Sequence, residues 1–186
     1  MLKNKLNLAK QCAIKQHKGQ YRKNNKTPYW HHLRDVVINL EMMGITDESI
    51  LCAGWLHDSI EDTSFDFDDV SKYFGKKIAQ IVSDLTKETR LPKNQQEQNY
   101  LKQLSASSWQ AKVVKLGDIL ANISDLKNSE LTKKQKVIQV KYKIKYLNAI
   151  KSGIMRNKSK IPNLSQTENL LNLVLDQYGQ RKVTLF

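Results

Sequence analysis

Apolar residues recur every three to four positions along nearly the whole chain, and that spacing most limits the folds open to it. Leu2, Leu6, Ala9 and Ala13 form one stripe, and Leu33, Val36, Val37, Leu40 and Met43 a second. Val113, Leu116, Leu120 and Ile123 make another. A 3.6-residue helix gathers such positions onto one face, whereas a half-buried strand needs strict alternation. Only 7 Gly and 3 Pro punctuate 186 residues, too few for a turn-dense all-β chain.

Read in order, the first helix ends near Lys18-Gly19, and the polar run QYRKNNKTP at 20–28 is a loop closed by Pro28. The second helix stops at Gly44. Thr46 offers the next N-cap, with Asp47 and Glu48 in a first turn where the helix dipole favours acids. That third helix is expected to run through Ile50, Leu51, Ala53 and Trp55 to about Asp62. Asp66 caps a short helix over 67–74, and Ile78, Ile81, Val82 and Leu85 mark another. A loop over 88–94 surrounds Pro92, and a polar helix near 95–104 follows. Val137, Val140, Ile144, Leu147 and Ile150 define a basic amphipathic helix. Leu164, Leu171, Val174 and Leu175 define a last one, and KVTLF reads as a short extended tail. No repeat or long linker divides the chain. The expectation is one all-α domain over 1–186, a helical bundle of about eight helices. With 40% hydrophobic and 26% charged residues it is not a disordered chain, and at this length it buries roughly 70% of its unfolded surface.

No apolar run approaches the ~18 residues that span a bilayer. The basic N-terminus has no long apolar stretch and no small-residue cleavage site, so no signal peptide is expected. Cys12 and Cys52 are the only cysteines, and two do not make a disulfide framework. A cytoplasmic protein is therefore expected.

Lys+Arg total 31 against 18 acids, a net charge of +13. Such a chain seeks a polyanion: nucleic acid, an acidic membrane surface, or a small phosphorylated ligand. The distribution is uneven. No acid precedes Asp35, and residues 127–160 carry eleven Lys/Arg and one acid, Glu130. Between these stretches, residues 57–69 carry six acids and no Lys or Arg. An acidic knot in a basic protein suits a cation held beside phosphates.

The knot contains His57-Asp58, with Glu61 and Asp62 four residues beyond each. On one helix these would form two neighbouring columns of one imidazole and three carboxylates. Like charges at that spacing repel, and a divalent cation would offset them. His32 is a further imidazole at the start of a helix. Asp118 stands among Leu116, Ile119 and Leu120, where a buried carboxylate needs a partner. His17 and His31 are expected to be packing or surface residues.

The stretches HKGQYRKNNKTPYWHHLRDV, LHDSIEDT and KVVKLGDILANISDL together resemble the hydrolase domain of the RelA/SpoT alarmone enzymes. That domain belongs to the HD-domain superfamily of metal-dependent phosphohydrolases. The likeness is greatest to the stand-alone small alarmone hydrolases of the Mesh1 type, and it runs from about residue 9 to residue 150. It implies a helical HD-domain bundle and a metal held by His32, His57, Asp58 and Asp118. It implies Glu61 and Asp62 as the catalytic acid/base pair. It further implies that Arg22, Lys23, Lys93, Asn122 and Tyr142 bind substrate, with Tyr146 replacing Tyr142 if the register slips by a turn. Leu33 stands where the family usually has Pro, and Ile119 where it often has Arg.

The implied reaction is hydrolysis of (p)ppGpp at its 3′-pyrophosphate, giving GDP or GTP and pyrophosphate. Two imidazoles and two carboxylates suit Mn²⁺, Fe²⁺ or Zn²⁺ and leave coordination positions open. The resemblance favours Mn²⁺. The expected partner is a small nucleotide, with no membrane and no nucleic acid, and a homodimer is compatible. The synthetase and regulatory domains of the long RelA/SpoT proteins have no place in these residues. Two rival readings stand beside it. One is an HD-type nucleotidase or NADPH phosphatase, and the other is a non-catalytic nucleic-acid or nucleotide-binding protein.

Overall fold

The helical spacing is realised as ten α-helices and two short 3-10 turns within residues 2–185. That is the span this computed structural model describes, with side chains from Lys5 onward. The expected place of Leu2 on the first stripe concerns a side chain outside that description, and Phe186 lies outside it altogether. The helices are α1 (Leu2–Gln16), α2 (Trp30–Met42), α3 (Glu48–Leu56), α4 (Ser59–Asp62) and α5 (Phe67–Phe74). They continue with α6 (Lys76–Leu85), α7 (Lys93–Ala106), α8 (Trp109–Asp125), α9 (Lys133–Arg156) and α10 (Leu164–Asp176).

Ten helices instead of about eight reflect, first, a break in the helix expected to reach Asp62. It stops at Leu56, where Asp58 takes φ −98° and ψ −2° and the chain restarts as the single-turn α4. The N-cap of α3 is Asp47, one residue after the expected Thr46, and its carboxylate accepts the Ser49 N–H at 2.7 Å. Asp66 caps α5 as expected, in a reciprocal pair with Asp69. No strand occurs among the described residues. A single bridge between Tyr21 and Pro28 closes the 20–28 loop, and Asn25 takes the left-handed φ of 53° that the turn requires and Asn tolerates. The C-terminal tail forms no ladder either. Asn172 on α10 holds it by bonding both the N–H and the C=O of Val183.

One connected core runs from Ala9 to Leu185. At its centre is α8, whose residues 111–121 are buried without a break, so the helix is surrounded by protein rather than laid on a surface. Two glycines let its neighbours come close. A Cβ on Gly54 would stand 2.8 Å from Leu40 Cδ1, so α3 lies tight against α2. A Cβ on Gly117 would stand 3.3 Å from the Val36 carbonyl oxygen, and Asn39 Nδ2 donates to Gly117 O at 3.0 Å. These approaches bring the start of α2, the end of α3 and the middle of α8 to one point. No helix among the described residues is long and apolar enough to cross a membrane.

Candidate metal centre and catalytic cavity

That meeting point holds His32 from α2, His57 from the end of α3 and Asp118 from α8, each 3% exposed. Their ligand atoms lie within 4.8 Å of one another. His32 Nε2 is 3.2 Å from Asp118 Oδ1, and His57 Nε2 is 3.8 Å from it. Asp58 joins from the turn: its Oδ2 is 3.0 Å from His57 Nε2 and 3.6 Å from His32 Nε2. The helix break makes this possible, because on a continuous helix consecutive side chains diverge by about 100°.

Each donor is oriented by a further contact. His57 Nδ1 bonds Gly54 O at 2.9 Å, which leaves Nε2 facing the cluster. Tyr29 Oη donates to Asp58 Oδ2 at 2.7 Å. Lys115 Nζ lies 2.8 Å from Asp118 Oδ2, and Asn122 Nδ2 donates to Asp118 Oδ1. The donor set fits a divalent metal. His57 Nε2 is buried and faces Asp58 without the alignment of a hydrogen bond, and unlike the buried His17 Nε2 it converges with His32 and Asp118. A buried ring nitrogen left so is costly unless something takes it as a ligand.

Burial lowers the His32 imidazole pKa by more than Asp118 raises it, so this ring is neutral and ready to ligate. For His57 burial acts downward too, but in the metal-free centre the Asp58 and Asp118 carboxylates outweigh it and raise the pKa to about 10, so this ring must release its proton to serve as a ligand. Burial alone would raise both aspartates. Lys115 overrides it at Asp118 and His57 at Asp58, holding both below the usual carboxylate range. Glu61 and Asp62 behave oppositely. Burial raises both, with Asp58 adding to it, while the Lys87 N–H on Glu61 and the His57 charge near Asp62 act against it.

The centre opens into a cavity of about 270 Å³. Glu61 and Asp62 line it beside Asp58, and Arg22, Lys23 and Asn122 line it too. The Arg22 guanidinium is held by Asp125 at 3.0 Å and Asn122 at 3.1 Å, 5.6 Å from the Tyr29 ring centre. Gln20 ties the same loop to the site by donating to Asp62 O at 2.8 Å. Two expected residues are elsewhere. Lys93 is exposed at the first position of α7, outside the cavity lining. Tyr142 is 41% exposed, with Lys145 4.8 Å from its ring centre. The inward stripe of α9 runs through Lys143, Tyr146 and Ile150, and Tyr142, one turn before Tyr146 and about 40° round the helix from it, falls at the exposed edge of that stripe. Tyr146 is the tyrosine that lines the cavity. His17 is buried in packing, bonded to Gln20 and stacked on Tyr29, and His31 rests against Trp30.

Three further cations line the cavity: Lys87, Lys115 and Lys143. Lys115 carried the same signal as Asp118, a charged residue inside an apolar helix. Lys143 carried none, being one lysine among many. Lys87 pairs with Glu97 at 3.4 Å, Lys115 with Asp118 and Arg22 with Asp125. Lys23 and Lys143 form no ion pair among the described residues. Burial lowers both pKa values, that of Lys143 to about 8. Both stand on the α9 side, where a second small cavity begins that shares Arg22, Lys23, Asn122 and Lys143 with the first.

A protein of Xenopus tropicalis named guanosine-3′,5′-bis(diphosphate) 3′-pyrophosphohydrolase MESH1 is 39% identical over 117 residues. That match takes in 62% of this chain and 65% of the relative. The Homo sapiens protein of the same name is 39% identical over 116 residues, 61% of this chain and 65% of its own length. The chain thus matches just under two thirds of these relatives. A solved structure, described as a metazoan ortholog of SpoT that hydrolyzes ppGpp, superposes with a TM-score of 0.80. It is 29% identical and covers 94% of this chain and 96% of its own. The family model described as HD domain matches residues 9–151. The chain belongs to the HD-domain family.

Proposed function

We propose that this chain is a metal-dependent (p)ppGpp 3′-pyrophosphohydrolase, acting in the cytoplasm as a single HD unit, with or without a second copy. The observation that carries the reading is the pairing of two unlike sites in one cavity. A His/His/Asp cluster with two acids beside it faces two lysines that have no carboxylate of their own. Hydrolysis of a phosphate ester needs both, a place to activate water and a place to hold the anion.

In this reading His32, His57, Asp58 and Asp118 hold the metal. Mn²⁺ is taken from the family resemblance, since the donor set also accepts Fe²⁺ or Zn²⁺. When bound, the ion supplies positive charge at the attacked phosphate and makes water a better nucleophile near neutral pH. The chain's own residues do the rest. Lys23 and Lys143 bind the phosphate groups, whose negative charge would favour the ammonium form that burial disfavours. Arg22, fixed in plane by Asp125 and Asn122, offers a flat cation for a base to stack on. Glu61 or Asp62 takes a proton from the attacking water. Water adds to the phosphorus bonded to the 3′ oxygen, the P–O3′ bond breaks, and the departing 3′ oxygen is protonated. A carboxyl whose pKa is raised by burial suits both proton transfers.

The test is EDTA-stripped protein incubated with ppGpp, with and without Mn²⁺, and products separated by anion exchange. Mn²⁺-dependent release of GDP and pyrophosphate is expected. No product from metal-loaded protein would overturn the substrate and turn attention to NADPH and deoxynucleotide monophosphates.

A further inference from the structure

Glu61 is fixed from outside its own helix. Its Oε2 accepts the backbone N–H of Lys87 at 2.8 Å, so the carboxylate goes where residue 87 goes. Residue 87 belongs to the loop between α6 and α7, which has no regular structure to hold it. The loop is held by α7. Gln103 Nε2 donates to Thr86 O at 2.8 Å, and Gln96 Nε2 to Leu91 O at 2.8 Å. Between these staples the Lys87 ammonium turns inward. Its Nζ is 3.4 Å from Glu97 Oε2 on α7 and 3.2 Å from Tyr146 Oη on α9. Tyr146 Oη in turn donates to the same Glu97 oxygen at 3.1 Å.

We propose that Lys87, locked by Glu97 and Tyr146, is a positioning residue that sets the Glu61 carboxylate for the reaction. Glu97 neutralises the ammonium where it stands. Glu61 therefore receives a neutral amide dipole from residue 87 and not a salt bridge. A direct Lys–Glu pair would lower the carboxylate's proton affinity by far more than one amide does. The arrangement fixes direction and leaves basicity. It also gives the polar helix α7, which buries few apolar residues, a function: its inward Glu and Gln side chains hold the loop.

The kinetic test rests on the proposed activity, and a second measurement does not. Lys87→Met keeps the backbone N–H and the apolar stem but removes the ammonium, and Glu97→Gln removes its counter-charge. Both are expected to lower kcat roughly ten- to hundredfold with KM within about twofold, as misplacement of a reacting group does. Lys87→Met should move the acid limb of the kcat profile to higher pH, because a loosened amide contact stabilises the Glu61 carboxylate less, whereas Glu97→Gln leaves the ammonium without its counter-charge and should move the limb to lower pH. Lys87→Arg should recover most of the loss. Hydrogen exchange needs no substrate: the Lys87 amide should be protected in the parent and exchange several-fold faster in Glu97→Gln. Unchanged kcat, pH limb and Lys87 protection in folded variants would overturn the proposal. If the parent protein fails to cleave ppGpp, the functional reading fails, and hydrogen exchange alone decides this one.

Discussion

Lys115 and Asp118 lie one turn apart on the buried face of α8, with Nζ 2.8 Å from Oδ2. The pair divides the carboxylate's two oxygens. Oδ2 meets the ammonium, while Oδ1 is left toward His32 and His57. A carboxylate this deeply buried would otherwise take up a proton and lose its value as a ligand.

Lys115→Met should therefore destabilise the metal-free protein by about 3–5 kcal/mol, the usual cost of stranding one partner of a buried pair. Divalent metal should restore part of the loss, because a second cation then faces Asp118. Urea melts with and without Mn²⁺ measure both effects. Equal destabilisation in the two conditions would mean that the pair serves packing and not the centre.

Replacing a ligand and replacing an acid/base group should have different signatures. His57→Ala is expected to remove bound metal and turnover together. Glu61→Gln should retain the metal and lose about 10²–10⁴-fold in kcat, the usual worth of a positioned proton acceptor. Metal analysis of the purified variants, read beside their rates, separates the two.

Glu61 should also leave a mark on stability. Its folded pKa lies above its unfolded one, so ionising it costs the folded state. The cost is absent below the unfolded value, about 4.3 for Glu, grows as pH rises toward the folded pKa, and is complete above it. Metal-free Glu61→Gln should accordingly melt higher than the parent at pH 7.5, and the gap should close near pH 4. A variant that melts lower at both pH values would mean that packing outweighs the charge.

Lys143→Met should act on substrate affinity. A charge-assisted contact of about 1.5–3 kcal/mol corresponds to a KM roughly 10- to 150-fold higher with kcat little changed. Salt should weaken binding less in the variant than in the parent. A kcat loss without a KM change would place Lys143 at the chemistry and not on the anion.

Gly117→Ala would push a methyl toward the Val36 backbone, which cannot swing away as a side chain can. The expected cost is about 1–3 kcal/mol, with weaker metal binding because α2 carries His32. Calorimetric titration of Mn²⁺ into parent and variant reports on the second effect.

Much of the architecture was legible because helix periodicity is a local signal. The stripes through Val36 and Leu40, and through Leu116, Ile119 and Ile123, are core in the structure. The set His32, His57, Asp58 and Asp118 came from the family resemblance, because apolar spacing alone does not say that α2, α3 and α8 meet there. What failed depended on geometry across elements. Apolar spacing does not report a break after Leu56, because Ile50, Leu51 and Trp55 read alike in either case. Tyr142 and Tyr146 lie one turn apart on nearly the same side of α9, and which turn meets the cavity is fixed by residues far off in sequence. Lys143 became visible only as a lysine without an acid, which is a property of its surroundings.

Gly54 performs two tasks with one backbone unit. Its missing side chain admits Leu40 and Val37, and its carbonyl oxygen aims the His57 ring. Mutational tolerance at this position is thus set by two unrelated demands at once, and relieving one does not relieve the other. A saturation library scored separately for folded yield and for metal retention should show these scores falling together at residue 54. At most core positions of the bundle they should diverge, since a repacked core can keep its helices while the centre stays intact.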